Sequence, residues 1–157
     1  MCLLLGATGV GKTLLLKRLQ NILHQLFTLT LDRMHAVLPE RVLNVVSHLQ
    51  SGTVWAAGDI KTFVVDCANI VQISSSCVQL LSVLSAEPLH SAAVLILFNK
   101  RDLPCTMSLV ELKSLFRMDE IIRTAPQSIT TLEISARSGQ GLQDVLSWMF
   151  SNHSHDT

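Results

Sequence analysis

Short apolar runs alternate with amphipathic stretches along most of the chain. Cys2, Leu3, Leu4 and Leu5 form a first apolar run, and residues 14–19 after it read as a helix. Residues 62–66 are apolar and β-branched, which predicts a buried strand. Residues 74 to about 89 carry Val78, Leu81, Leu84 and Leu89 near helical spacing, with serines at the start that can cap. Residues 94–98 are apolar without alternation, as in a parallel strand covered on both faces. A helix follows over 108–123, with Leu109, Leu112, Leu115 and Phe116 on one face. Residues 131–134 make another strand, and 141–150 a final helix with Leu142, Val145, Leu146 and Met149 on one face. Strands alternating with helices predict an α/β fold with a mostly parallel sheet. In such sheets ligands sit beyond the carboxyl ends of the strands.

Residues 21–61 are less legible. Leu23, Leu26, Phe27, Leu29 and Leu31 follow neither the helical nor the strand period cleanly. Pro39 could open a helix with Val42, Leu43, Val45, Val46 and Leu49 on its apolar side, ended at Ser51 and Gly52, and residues 53–55 could be a short strand. The whole is expected to be one domain over 1–150, irregular over 21–61, with a disordered polar tail over 151–157.

Composition narrows the function. Twelve Lys and Arg balance twelve Asp and Glu, so a general nucleic-acid binder, which must neutralise several phosphates, is not expected. Only 15% of residues are charged and 48% are hydrophobic, which excludes disorder for most of the chain. No apolar run reaches the length of a membrane-spanning helix. Cys2, Cys67, Cys77 and Cys105 lack paired metal-ligand spacing and read as reduced thiols of a cytoplasmic protein. The start has neither a basic signal region nor a glycine at position 2, and no prenylation cysteine ends the chain, so no built-in membrane anchor is expected.

Gly6-Ala7-Thr8-Gly9-Val10-Gly11-Lys12-Thr13 fits G-x-x-x-x-G-K-[ST], between a strand and a helix. Glycines let the backbone wrap phosphate in conformations that a side chain forbids. Successive N–H groups at the helix start then form an anion nest. Lys12 is expected at the β- and γ-phosphates, and the Thr13 hydroxyl on Mg2+. The bland alternative is a glycine turn that merely starts a helix.

Asn99-Lys100-Arg101-Asp102 directly follows the strand at 94–98. A carboxylate at Asp102 can accept hydrogen bonds from guanine N1–H and the 2-amino group. Adenine offers neither donor, and a site built on such bonds rejects the wrong partner by about 10⁴-fold or more. Asn99 can bridge base and phosphate loop, the Lys100 stem can cover the base, and Arg101 is expected in solvent. Ser135 and Ala136, in Ser-Ala-Arg at the end of the next strand, are small enough to bring backbone N–H groups to guanine O6.

These three elements, in this order, resemble those of Ras-like small GTPases of the ADP-ribosylation factor-like group. The resemblance covers residues 1–20 and roughly 62–150. It implies a three-layer P-loop GTPase-like fold, GTP or GDP and Mg2+ as ligands, and protein effectors or regulators as partners. It also places phosphates and Mg2+ on Gly6 to Thr13, and guanine on Asn99, Lys100, Asp102 and Ala136. The family further requires a switch threonine and a D-x-x-G, usually followed by a water-orienting Gln. Residues 21–61 offer Thr28, Thr30 and Thr53 without a recognisable setting, and Trp55-Ala56-Ala57-Gly58 where D-x-x-G belongs. An incomplete or irregular second and third strand of the family sheet is therefore expected, and GTP hydrolysis slow or absent. A splice variant or mistranslated segment is an alternative source of that stretch. Two other functions compete: a non-enzymatic interaction module on a degenerate GTPase fold, and a P-loop kinase or ATPase, which has no use for Asp102.

Overall fold

The computed structural model describes residues 2–33, 60–104 and 107–152 of the chain. In order these form β1 (Cys2–Leu5), α1 (Lys12–Arg33), β2 (Ile60–Asp66), α2 (Ile70–Leu84), a 3-10 turn (Glu87–Leu89), β3 (Ala93–Asn99), α3 (Leu109–Leu115), α4 (Met118–Thr124), β4 (Ser128–Glu133) and α5 (Leu142–Asn152). The strands form one sheet of order β1-β2-β3-β4, parallel at every pairing. Asp66 lies opposite Asn99 and Phe98 opposite Glu133, so the carboxyl ends of β2, β3 and β4 align, while β1 ends earlier, with Leu5 opposite Phe63.

The sheet is covered on both faces, which explains the uninterrupted apolar run of β3. Val64, Leu95 and Leu97 pack with Leu15, Leu19 and Leu23 of α1 and with Leu142, Val145, Leu146 and Met149 of α5. Phe63, Val65, Val94, Ile96 and Phe98 pack on the other side with α2, α3 and α4. Phe98 meets Phe116 edge to face, with ring centroids 6.0 Å apart. This is the α/β architecture expected from the alternation of strands and helices, in the three layers that the family resemblance implies. The short first strand, the strand at β3 and the apolar face of α5 lie where the residue pattern put them.

Other elements differ from their expected bounds. α1 runs to Arg33, well beyond residue 19 and into the stretch that showed no clean period. Its buried stripe is Leu15, Leu19 and Leu23, while exposed Leu14 and half-buried Leu16 and Ile22 blur the pattern. Thr28 and Thr30 therefore lie within a helix. α2 starts at Ile70, capped by the Asn69 side chain rather than by serines. Ser75, Ser82 and Ser85 instead donate to carbonyls one turn back. Its buried face is Ile73, Ser76, Leu80 and Leu84, leaving Val78 and Leu81 exposed.

The helix expected over 108–123 is two helices, broken at Arg117, whose φ of 50° is left-handed. Leu112 and Phe116 are buried there, but Leu115 is exposed. β4 starts three residues earlier than expected, and α5 takes in Ser151 and Asn152. The expected helix after Pro39, the strand at 53–55, Thr53, the Trp55–Gly58 segment, Cys105 and residues 153–157 of the tail lie outside the described residues. Cys67 and Cys77 are free thiols, and burial pushes the Cys77 thiol up.

Candidate functional site

The loop between β1 and α1 is shaped by its glycines and held by its lysine. Gly6 has φ +134° and passes so close to the Val64 carbonyl that a Cβ there would collide with it. Gly11 has φ +96°, and a Cβ there would lie 2.6 Å from Asn99 Nδ2. The Lys12 ammonium donates to the Gly6 and Ala7 carbonyls, 2.7 Å each, curling the loop around its own side chain. Burial pushes the Lys12 pKa below the usual lysine range, so a bound anion would favour its charged form. α1 begins at Lys12, and the first N–H groups of a helix have no intrahelical partner. The loop thus presents a helix N-terminus and an amine, the two features that hold phosphate. Thr8, Gly9 and Thr13 are exposed along it.

The segment after β3 is tied to this loop. Asn99 is buried; its Nδ2 donates to the Val10 carbonyl at 2.8 Å, and its Oδ1 accepts from Ala136 N–H at 3.0 Å. One amide therefore joins the phosphate loop, the segment after β3 and the segment after β4. Asp102 is exposed, and its Oδ1 accepts from the Ser135 hydroxyl at 2.7 Å, which orients the carboxylate. The same hydroxyl accepts from Ser138 N–H at 3.0 Å. Lys100 has φ +66° and pairs through Nζ with Asp66 Oδ2 at 2.6 Å, while Asp66 Oδ1 accepts from Ala68 N–H at 2.9 Å.

Two expected details change. Arg101 does not point into solvent: its Nε pairs with Glu133 Oε2 at 2.7 Å, because β3 and β4 end side by side and bring the two chains together. Ser135 N–H donates to the Gln140 carbonyl and Ala136 N–H to Asn99 Oδ1. Those amides are thus already engaged with protein acceptors rather than standing open for guanine O6.

Asn99, Lys100, Asp102 and Ala136 line one cavity of about 260 Å³ with Gly11 of the phosphate loop; Leu14, Leu103 and Arg137 complete its wall. Its lining combines the Asp102 carboxylate, the Lys100 side chain and the glycine that precedes Lys12. The structure thus brings the three sequence-distant motifs together at the carboxyl edge of the sheet. No group of three or more His, Cys, Asp or Glu gathers as a metal site among the described residues.

Two contributors were not foreseen. Asp66, read only as the end of a strand, holds Lys100. Gln72, in the first turn of α2, donates from Nε2 to the Thr8 carbonyl at 3.2 Å and clips the phosphate loop from the other side. A carboxylate ending an apolar strand was the available signal for Asp66. Gln72 left none.

The ADP-ribosylation factor family matches residues 53–153. Human ADP-ribosylation factor-like protein 16 is 47% identical over 98% of this chain and 86% of its own. ADP-ribosylation factor-like protein 2 of Drosophila melanogaster is 25% identical over 96% of this chain and 85% of its own. Among solved structures, the Arl6 BBS3 small GTPase of Trypanosoma brucei with bound nucleotide analogue GppNp superposes with a TM-score of 0.70. It covers 99% of this chain and 98% of that one at 12% identity, a likeness of fold.

Proposed function

The chain belongs to the ADP-ribosylation factor family of small GTPases, and from that premise we propose a guanine-nucleotide-binding regulatory protein of the cytoplasm that hydrolyses GTP slowly or not at all. The observation that carries the reading is the cavity edged by Gly11, Asn99, Lys100, Asp102 and Ala136. It joins a phosphate-holding loop to a carboxylate with the hydrogen-bonding pattern guanine requires. Asp102 is held by Ser135 to accept from N1–H and the 2-amino group, and the Lys100 stem borders the base. Lys12 and the first turn of α1 take the phosphates. The Thr13 hydroxyl, exposed at the helix start, fits one position of a Mg2+ ion, which otherwise keeps waters and phosphate oxygens. Mg2+ supplies charge neutralisation of the phosphates.

Weak hydrolysis is supported by the absence of any Asp-x-x-Gly between the phosphate loop and β2. Phosphoryl transfer depends on positioning and electrostatics, and a site without those residues has little to orient water. Single-turnover hydrolysis is expected no faster than about 10⁻⁴ s⁻¹, the order of an unassisted small GTPase.

The test is a titration with fluorescent GTP and GDP in Mg2+, with ATP as competitor and Lys12→Ala as control. Saturable binding displaced by guanine nucleotides and not by ATP supports the reading. Displacement by ATP would favour a P-loop kinase or ATPase. No saturable binding by a folded sample leaves an interaction module.

A further inference from the structure

Lys100 and Asp102 lie two residues apart and border the same cavity, one an ammonium and the other the carboxylate that would read the base. Left to themselves such neighbours pair. Here the ammonium is drawn the other way, to Asp66 at 2.6 Å. The Asp66 side chain is only 6% exposed, against 31% for Lys100, and Ala68 N–H fixes it at 2.9 Å. Asp66 also stands opposite Asn99 in the sheet register, and Cys67 N–H donates to the Asn99 carbonyl at 3.1 Å. The carboxylate is therefore anchored on the rigid edge of the sheet. The backbone of Lys100 is turned into the left-handed region at φ +66°, a conformation uncommon for a side-chain-bearing residue.

We infer that Asp66 is a positioning residue for base selection: by holding the Lys100 ammonium at the end of β2, it keeps the Asp102 carboxylate available to guanine. The inference rests on the guanine-nucleotide reading of this cavity. Asp102 already accepts from Ser135, and a carboxylate has about four acceptor sites. Guanine needs two of them. An ammonium swinging onto Asp102 would compete for those sites and neutralise the charge that strengthens the bonds. The consequence falls on discrimination. Hypoxanthine keeps N1–H but lacks the 2-amino group, so the preference for GDP over inosine diphosphate reports how freely Asp102 accepts.

The experiment is competition of GDP and inosine diphosphate against fluorescent GDP in Mg2+, on the full chain, with folding checked by circular dichroism. In Asp66→Asn the GDP preference is expected to fall roughly tenfold, the scale of one hydrogen bond to a charged group. In Lys100→Met, which keeps the apolar stem, affinity for both nucleotides falls but the preference stays. In the double variant Asp66→Asn with Lys100→Met the preference returns, because no ammonium is left to occupy Asp102.

A purely structural ion pair predicts that Asp66→Asn, like Lys100→Met, weakens the two nucleotides equally, so that the preference for GDP is the same in the wild type, both single variants and the double variant. That result, or an unchanged preference in Asp66→Asn, overturns the inference. Should Asp66→Asn fail to fold, Asp66→Ser keeps an acceptor for Ala68 N–H and is read the same way. Wild-type protein that binds guanine nucleotides without preferring GDP would overturn the inference while leaving phosphate binding standing. Wild-type protein that binds neither would overturn the site reading itself.

Discussion

Lys12 carries two roles that compete. Its ammonium closes the phosphate loop onto the Gly6 and Ala7 carbonyls, and on the proposed reading it also meets the phosphates. Lys12→Ala is expected to lower nucleotide affinity about a hundredfold or more, as for the loss of a charge-assisted contact. The titration of that amine gives a second check. Burial holds its pKa below the usual lysine range, and a bound anion raises it again. Binding therefore needs the protonated form: affinity is full below the pKa of the ligand-free protein and declines as pH rises through it. In Lys12→Ala the part of that decline due to the amine is absent and only the loss from ionisation of guanine N1–H itself is left, as a pH series of titrations will show. Gly11 is constrained twice, by its positive φ and by Asn99 Nδ2 only 2.6 Å from the space a Cβ would take. Gly11→Ala is expected to destabilise the fold by about 1–3 kcal/mol, measured by urea unfolding, and to loosen the bridge from Asn99 to Val10.

At the level of elements, helix ends and buried faces depend on local chemistry that can be tested one residue at a time. α3 has only seven residues and relies on a capping box: the Ser108 hydroxyl accepts from Glu111 N–H, and the Glu111 carboxylate accepts from Ser108 N–H. Those bonds favour the ionised carboxylate and lower its pKa. Ser108→Ala is expected to cost about 1 kcal/mol by denaturant unfolding. The elements also show what can be read from residues alone. α5 was legible because Leu142, Val145, Leu146 and Met149 are buried while Gln143, Asp144, Ser147 and Ser151 are exposed. α2 was misphased because it has no charged residue to mark a solvent face, so Val78 and Leu81 looked as core-like as Leu80 and Leu84. The break at Arg117 lacked any glycine or proline to announce it.

Across the whole molecule, the sheet is what turns separate motifs into a site. Parallel register ends β2, β3 and β4 together, and the segments that follow them meet the phosphate loop at one edge. The phosphate loop, Asn99 and Asp102 were legible because their residue types and spacing carry the chemistry. The clips from Asp66 and Gln72 were not, because they depend on which strands become neighbours. A ligand spanning this edge should stabilise the fold as a unit. GDP with Mg2+ at a hundred times its Kd is expected to add about 2.7 kcal/mol. For a chain of this size that raises Tm by roughly 5–10 °C, measured by thermal unfolding with and without nucleotide.

The most direct single measurement is competition of GDP and xanthosine diphosphate for wild-type protein and Asp102→Asn. A carboxylate suits the two donors of guanine, whereas an amide offers one acceptor and one donor, which suit the N1–H and 2-oxo group of xanthine. If Asp102 reads the base, the wild-type chain prefers GDP and the variant shifts its preference to xanthosine diphosphate. If both proteins rank the two nucleotides alike, the carboxylate does not face the base and the cavity is not a guanine site.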